Sequence, residues 1–186
     1  MTSKTFEQLS QAEASLRELS IEILDPPFIS IRELRAAGRA LHTSSQIKIL
    51  IIDDFHHLTT DVQNQQQDQR ERSVLIAKGI KDLAMELNMP VIVLLQLDWQ
   101  MHQNALRRPR FPNLSTIPLA NEADKILVLA RDDDFSSPDA FHANCWVAKN
   151  RNGPTGVVKM LFSPRTIRFT DSEPTFLNQA PNDKDS

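Results

Sequence analysis

The stretch Ile49-Leu50-Ile51-Ile52-Asp53-Asp54 sets four apolar residues in a row before an acid. An unbroken apolar run of this kind predicts a strand covered on both faces, as in a parallel sheet. Open α/β sheets gather their ligands at the carboxyl ends of the strands. Asp53 is therefore a candidate to hold a water on a nucleotide-bound Mg²⁺. The alternative is that it caps the turn after the strand. Asp54 should point the opposite way and be structural or solvent-facing. An acid in the first role needs a phosphate cradle beside it, usually G-x-x-x-x-G-K-S/T. The glycines are Gly38, Gly79, Gly153 and Gly156, and none precedes a lysine. The stretch reads as half of an ATP site.

Working outward, Phe6 to Leu19 has helical spacing, with Phe6, Leu9, Leu16 and Leu19 near one face. Ile21 to Leu24 reads as a short strand stopped by Asp25-Pro26-Pro27. Ser30-Ile31-Arg32-Glu33 is a capping box opening a helix with Ile31, Leu34, Ala37 and Leu41 inward. Thr59 to Arg72 is polar and rich in glutamine, suiting a loop or an exposed helix start. From Ser73 to Asn88, Ile76, Ile80, Leu83, Ala84 and Leu87 recur at helical spacing, and Asn88 and Pro90 stop that helix. Val91 to Leu97 begins another buried strand and Ile126 to Ala130 gives a third. Between them lies a long polar loop, Asp98 to Pro118. Ala143 to Lys149 and Val157 to Phe162 flank the turn-rich Asn150-Arg151-Asn152-Gly153-Pro154-Thr155-Gly156, which predicts a hairpin. Ile167 to Phe169 adds a short strand, and the tail 171–186 is expected to be disordered. Strands alternating with helices and ending in a hairpin edge indicate a three-layer α/β sheet in one domain, residues 1–170.

Composition narrows the function classes. A net charge of −3 over 186 residues argues against a generally basic nucleic-acid surface, leaving only local basic loops. Cys145 is the only cysteine, so no internal disulfide forms and a cytoplasmic setting is the simple expectation. No run of about 18 apolar residues is present, so no membrane partner is expected.

Gln96, at the end of its strand, would sit level with Asp53 if the two strands are neighbours. A glutamine there senses a γ-phosphate or orients water; otherwise it is a hydrogen-bonded strand end. Lys149 and Arg151 are two apart, so an extended backbone points both to one face. They suit a charge clamp on a neighbouring subunit's phosphate, or simply charges guarding a hairpin edge. Arg107, Arg108 and Arg110, with Phe111, suit a grip on single-stranded DNA or a solvated basic loop. His56 and His57, adjacent in sequence, do not chelate one metal together. Trp99 and Trp146 are expected to be packing anchors, and Cys145 a small buried hydrophobe.

Together these pieces resemble the C-terminal, RecA-like motor domain of the DnaB-type replicative helicases, from about Leu19 to Phe169. The resemblance rests on Ile49 to Asp53, on Lys81-Asp82-Leu83-Ala84-Met85-Glu86-Leu87-Asn88-Met89-Pro90-Val91-Ile92, on Gln96-Leu97, on Glu122-Ala123-Asp124, and above all on Val147 to Gly156. It implies that Asp53 is the Walker B acid and Gln96 the residue coupling γ-phosphate to the DNA loops. It implies that Lys149 and Arg151 enter a neighbouring subunit's ATP site and that 98–118 is the central-channel DNA loop. It also implies Mg-ATP as cofactor, DNA replication as setting, and single-stranded DNA, an intact helicase subunit or self-association as partners.

The departures are as informative. The family's first strand, its P-loop and the catalytic glutamate would all precede residue 1. An Arg-Glu pair in the channel loop is replaced by Ser115-Thr116. Asp54 stands for a usual aromatic and His56 for a usual glutamine, and Asp98-Trp99 follow the sensor strand in place of Asn-Arg. The expectation is a truncated domain that binds Mg-ATP poorly and does not hydrolyse it alone. Its alternatives are a non-catalytic accessory docking on an intact helicase or RecA-like ATPase, or one half of a split helicase.

Overall fold

The computed structural model describes residues 3–60, 68–96, 114, 117–131 and 141–171. They fall into two compact units, Met1–Leu95 and Gln96–Ser186.

In the first unit, α1 (Ser3–Arg17) leads through an irregular segment to β1 (Ile29–Ser30) and α2 (Ile31–Ser44). The predicted capping box forms: Ser30 Oγ accepts from the Glu33 backbone N–H at 3.2 Å, and Glu33 Oε2 accepts from the Ser30 N–H at 2.9 Å. Two of the helix's otherwise orphaned donors are thereby satisfied. β2 (Leu50–Ile52) follows, then a 3₁₀ turn at Phe55–His57, β3 (Leu58–Thr59), α3 (Gln69–Glu86) and β4 (Val91–Val93). Helix α3 buries Ile76, Ala77, Ile80 and Leu83 along one stripe. Asn88 takes a positive φ of 46° just past its end, and Pro90 forbids continuation. On α2, Gly38 lies against Leu83 and Leu87 of the α3 region. Arg35 and Arg39 of α2 both reach Glu86 at the end of α3.

The ladders of this unit are parallel. β2 pairs with β4 through Leu50↔Val91, Ile51↔Ile92 and Ile52↔Val93, and β1 pairs with β3. The expected burial of β2 on both faces is corrected: Ile52 is buried, whereas Ile51 is 58% and Ile92 48% exposed. Ile49 and Leu94 are exposed as well. One face of the pair is thus left uncovered by the described residues of this unit. Ile21 to Leu24 is irregular rather than a strand, with no ladder partner among the described residues. The face of α1 carrying Phe6, Leu9 and Leu16 is also exposed, as is Leu19 just beyond the helix.

The second unit contains α4 (Pro118–Glu122) and a four-stranded antiparallel sheet in the order β5 (Lys125–Arg131), β6 (Phe141–Asn150), β7 (Gly156–Ser163), β8 (Arg168–Asp171). The predicted hairpin is therefore the centre of a larger sheet. Leu114, Ala120, Val128 and Ala148 form its core, with Ile117, Ile126 and Trp146 packed against them. β5 was expected to be buried on both faces; instead Val128 and Ala130 are buried while Leu127 and Leu129 are exposed. In the β6–β7 turn, Asn150 Nδ2 donates to Pro154 C=O at 3.1 Å, and Asn150 Oδ1 accepts from Asn152 N–H. A Cβ at Gly153 would lie 2.9 Å from Asn150 Nδ2, so a larger residue there displaces the amide that closes the turn. The chain is α/β, with parallel ladders preceding an antiparallel hairpin sheet.

Candidate functional site

Asp53 follows the last residue of β2 directly and its side chain is exposed. The turn after the strand is capped by its neighbour. Asp54 Oδ1 accepts from the His56 backbone N–H and lies 3.0 Å from His57 Nδ1. Partial desolvation pushes the Asp54 carboxyl up, but hydrogen bonds from His57 and His56 outweigh it and leave the group below its usual range. Asp54 therefore takes the structural role, and Asp53 is left at the carboxyl edge of the parallel pair. His56 and His57 occupy the 3₁₀ turn rather than a strand. Among the described residues no three His, Cys, Asp or Glu side chains cluster as a metal site.

β4 is the parallel neighbour of β2, as the level placement of Gln96 requires, but its ladder ends at Val93. Gln96 is exposed three residues further on and is counted with the second unit. Arg107, Arg108 and Arg110, with Phe111 and Trp99, lie outside the described residues.

Lys149 and Arg151 lie at the end of β6. The β5–β6 register shifts between Ile126 and Leu127: Leu127 faces Val147, while Ile126 faces Lys149. Ala148 is the extra residue of a bulge, and such an insertion re-aims the side chain beside it. Lys149 Nζ donates to the carbonyls of Ala120 at 2.9 Å and Asn121 at 3.1 Å, near the carboxyl end of α4. Arg151 Nη1 donates to Asp124 Oδ1 at 2.9 Å, and the Arg151 N–H to the Asp124 C=O at 3.0 Å. Both cations are thus directed to one short segment, Ala120 to Asp124. Sequence reasoning did not single out these acceptors. Their only signal was Glu122-Ala123-Asp124 standing just before a strand. Cys145 is half-buried on the same strand, and burial pushes its thiol up.

The residues fit Mg-ATP only in part. An exposed strand-end acid is the residue type that holds a water on Mg²⁺, but a phosphate cradle needs glycine-rich backbone at a helix start. Gly38 and Gly79 lie inside α2 and α3, and Gly153 and Gly156 belong to the β6–β7 hairpin. None of the four stands in such a loop.

This architecture is that of a RecA-like ATPase domain. A sequence profile described as the DnaB-like helicase C terminal domain matches residues 1–171, and the chain belongs to that family. It is 31% identical over 180 residues to the replicative DNA helicase DnaB of Geobacillus stearothermophilus, covering 95% of this chain and 39% of that protein. With the replicative DNA helicase DnaB of Leifsonia xyli subsp. xyli the identity is 34% over 164 residues, covering 86% and 35%. A solved DnaB-like replicative helicase, described with its interactions with primase, superposes with a TM-score of 0.78 at 27% identity. That match covers 93% of this chain and 42% of the other. The chain therefore spans well under half the length of these relatives.

Proposed function

We propose that this chain contributes the acid, the sensor and the trans-acting cations of a DnaB-type motor for ATP-dependent DNA unwinding in replication, and does not hydrolyse ATP by itself. The observation that carries this reading is a contrast. Asp53 stands exposed at the carboxyl edge of a parallel pair, while all four glycines are committed to helix interiors and a hairpin. Bound Mg-ATP would supply the γ-phosphate whose transfer drives the motor. In this chain Asp53 orients water on the metal, Gln96 reports on the phosphate, and Lys149 and Arg151 offset charge on a neighbouring subunit's nucleotide. Arg107, Arg108 and Arg110 grip the backbone of single-stranded DNA.

The phosphate side of such a site is not supplied by the four glycines of these 186 residues. Without loop amides and a P-loop lysine, about three phosphate groups lose most of their donors. Catalytic groups that act as a unit lose orders of magnitude in rate when some are removed. The purified chain with Mg-ATP and single-stranded DNA is expected to show no turnover above background; turnover abolished by Asp53→Ala contradicts the proposal. Single-strand binding is expected to be weak, salt-sensitive and lost when Arg107, Arg108 and Arg110 are replaced by alanine. Equal binding by the triple variant would remove the loop from the reading.

A second reading is favoured by the uncovered face of β2 and β4. Ile49, Ile51, Ile92 and Leu94 present an apolar surface that suits docking against an intact helicase or RecA-like ATPase, or against the other half of a split helicase. On this reading, a P-loop protein from the native cell co-purifies with the chain and is lost with Ile51→Lys. Both readings place the protein in the cytoplasm. In the described residues no helix is long and apolar enough to cross a membrane.

A further inference from the structure

The bonds that Lys149 and Arg151 make within their own unit differ in kind. Backbone carbonyls of Ala120, Asn121 and Asp124 are among the acceptors. These are fixed by the fold, because Ala120 is buried in the core cluster with Leu114, Val128 and Ala148. Arg151 also meets the Asp124 carboxylate, a charged side chain opposite its guanidinium at 2.9 Å. That pair is open to solvent on both sides, with Arg151 50% and Asp124 55% exposed.

We propose that Asp124 is an internal counter-ion that competes with nucleotide phosphates for Arg151. It holds the guanidinium on the segment that also holds Lys149, and a di- or triphosphate must displace it to reach Arg151. The inference rests on the reading that Lys149 and Arg151 meet nucleotide phosphates.

Magnitudes favour exchange over a permanent lock. An ion pair this exposed is worth at most about fivefold in an equilibrium constant. A polyphosphate brings several charges and accepts two parallel N–H bonds from one guanidinium, a geometry that makes the strong form of this contact. Acetate or chloride brings one charge and gains nothing over Asp124. The bulge at Ala148 sets both cations toward the same short segment, and one phosphate chain can therefore engage both.

The test uses the full ¹⁵N-labelled chain, following the Arg151 Nε–Hε resonance, assigned by its loss in Arg151→Ala, together with the backbone amides of the β6–β7 turn, which stay readable in every variant. Pyrophosphate and acetate are titrated separately at fixed ionic strength. The wild-type resonance is expected to respond to pyrophosphate and not to acetate. Asp124→Asn should tighten pyrophosphate binding by about two- to fivefold, as loss of one exposed competing charge requires. Asp124→Ser carries the same expectation should the asparagine variant fold poorly. Pyrophosphate binding that Arg151→Ala weakens but neither Asp124 variant strengthens overturns the counter-ion role and leaves the phosphate reading standing. No pyrophosphate response in wild type or in Asp124→Asn, or a response that Arg151→Ala leaves unchanged, removes the phosphate reading and the inference with it. Loss of fold in both Asp124 variants makes the residue structural and also overturns the proposal.

Discussion

Glu86 shows how a single exposed residue can tie two helices. Hydrogen bonds from Arg39 and then Arg35 hold its carboxyl down at about 2, against an ordinary 4.5. A carboxylate whose folded value is depressed contributes stability that is fully present above its unfolded value. The contribution fades as pH falls below about 4.5 and is gone near 2. Thermal unfolding of wild type and Glu86→Gln should therefore differ at pH 7 and converge between pH 4.5 and 2. A constant gap across that window would mean the arginine contacts do not set the difference. Gly79 is a second case. A Cβ there would fall within clash distance of Ile31 Cγ1. Overpacking costs about 1–3 kcal/mol, whereas alanine gains about 1 kcal/mol in helix propensity over glycine. Gly79→Ala should destabilise by roughly 1 kcal/mol on balance, measured by urea unfolding. Stabilisation would show that Ile31 gives way freely. At this scale the sequence named Asp53 but left its role open. Alternation along the strand already marks Asp54 as structural or solvent-facing, and the turn geometry adds that Asp54 rather than Asp53 makes the cap.

Elements were legible where a local rule dictates them. The capping box at Ser30 and Glu33, the α3 stripe and the Asn88-Pro90 stop all follow from bonds within a few residues. The hairpin from β6 to β7 was legible for the same reason, since its turn is closed by Asn150 itself. Ladders were less so. β1 and β3 have two residues each, too few to show a period. Ile21 to Leu24 has the right residue types, but a strand exists only beside a partner. The bulge at Ala148 leaves no mark in the sequence, yet it helps decide where Lys149 points. Leu83 is the element-scale test, being fully buried on α3 against α2. Leu83→Ala should cost about 2–5 kcal/mol in unfolding free energy. A loss below about 1 kcal/mol would mean that α2 and α3 are not packed as described.

On the scale of the whole molecule, the first unit shows more apolar surface than its described residues cover. Unbroken apolar strands such as Ile49 to Ile52 mark faces meant to be packed on both sides, and here one side of β2 and β4 is open. This accounts for the mismatch between the sequence expectation of a fully buried strand and the observed one. The central claim is that this polypeptide carries the acid and cation side of a helicase motor without its own phosphate cradle. Calorimetric titration of the purified chain with Mg-ATP tests it most directly. The account predicts no measurable binding heat; micromolar binding that disappears in Asp53→Ala would contradict it.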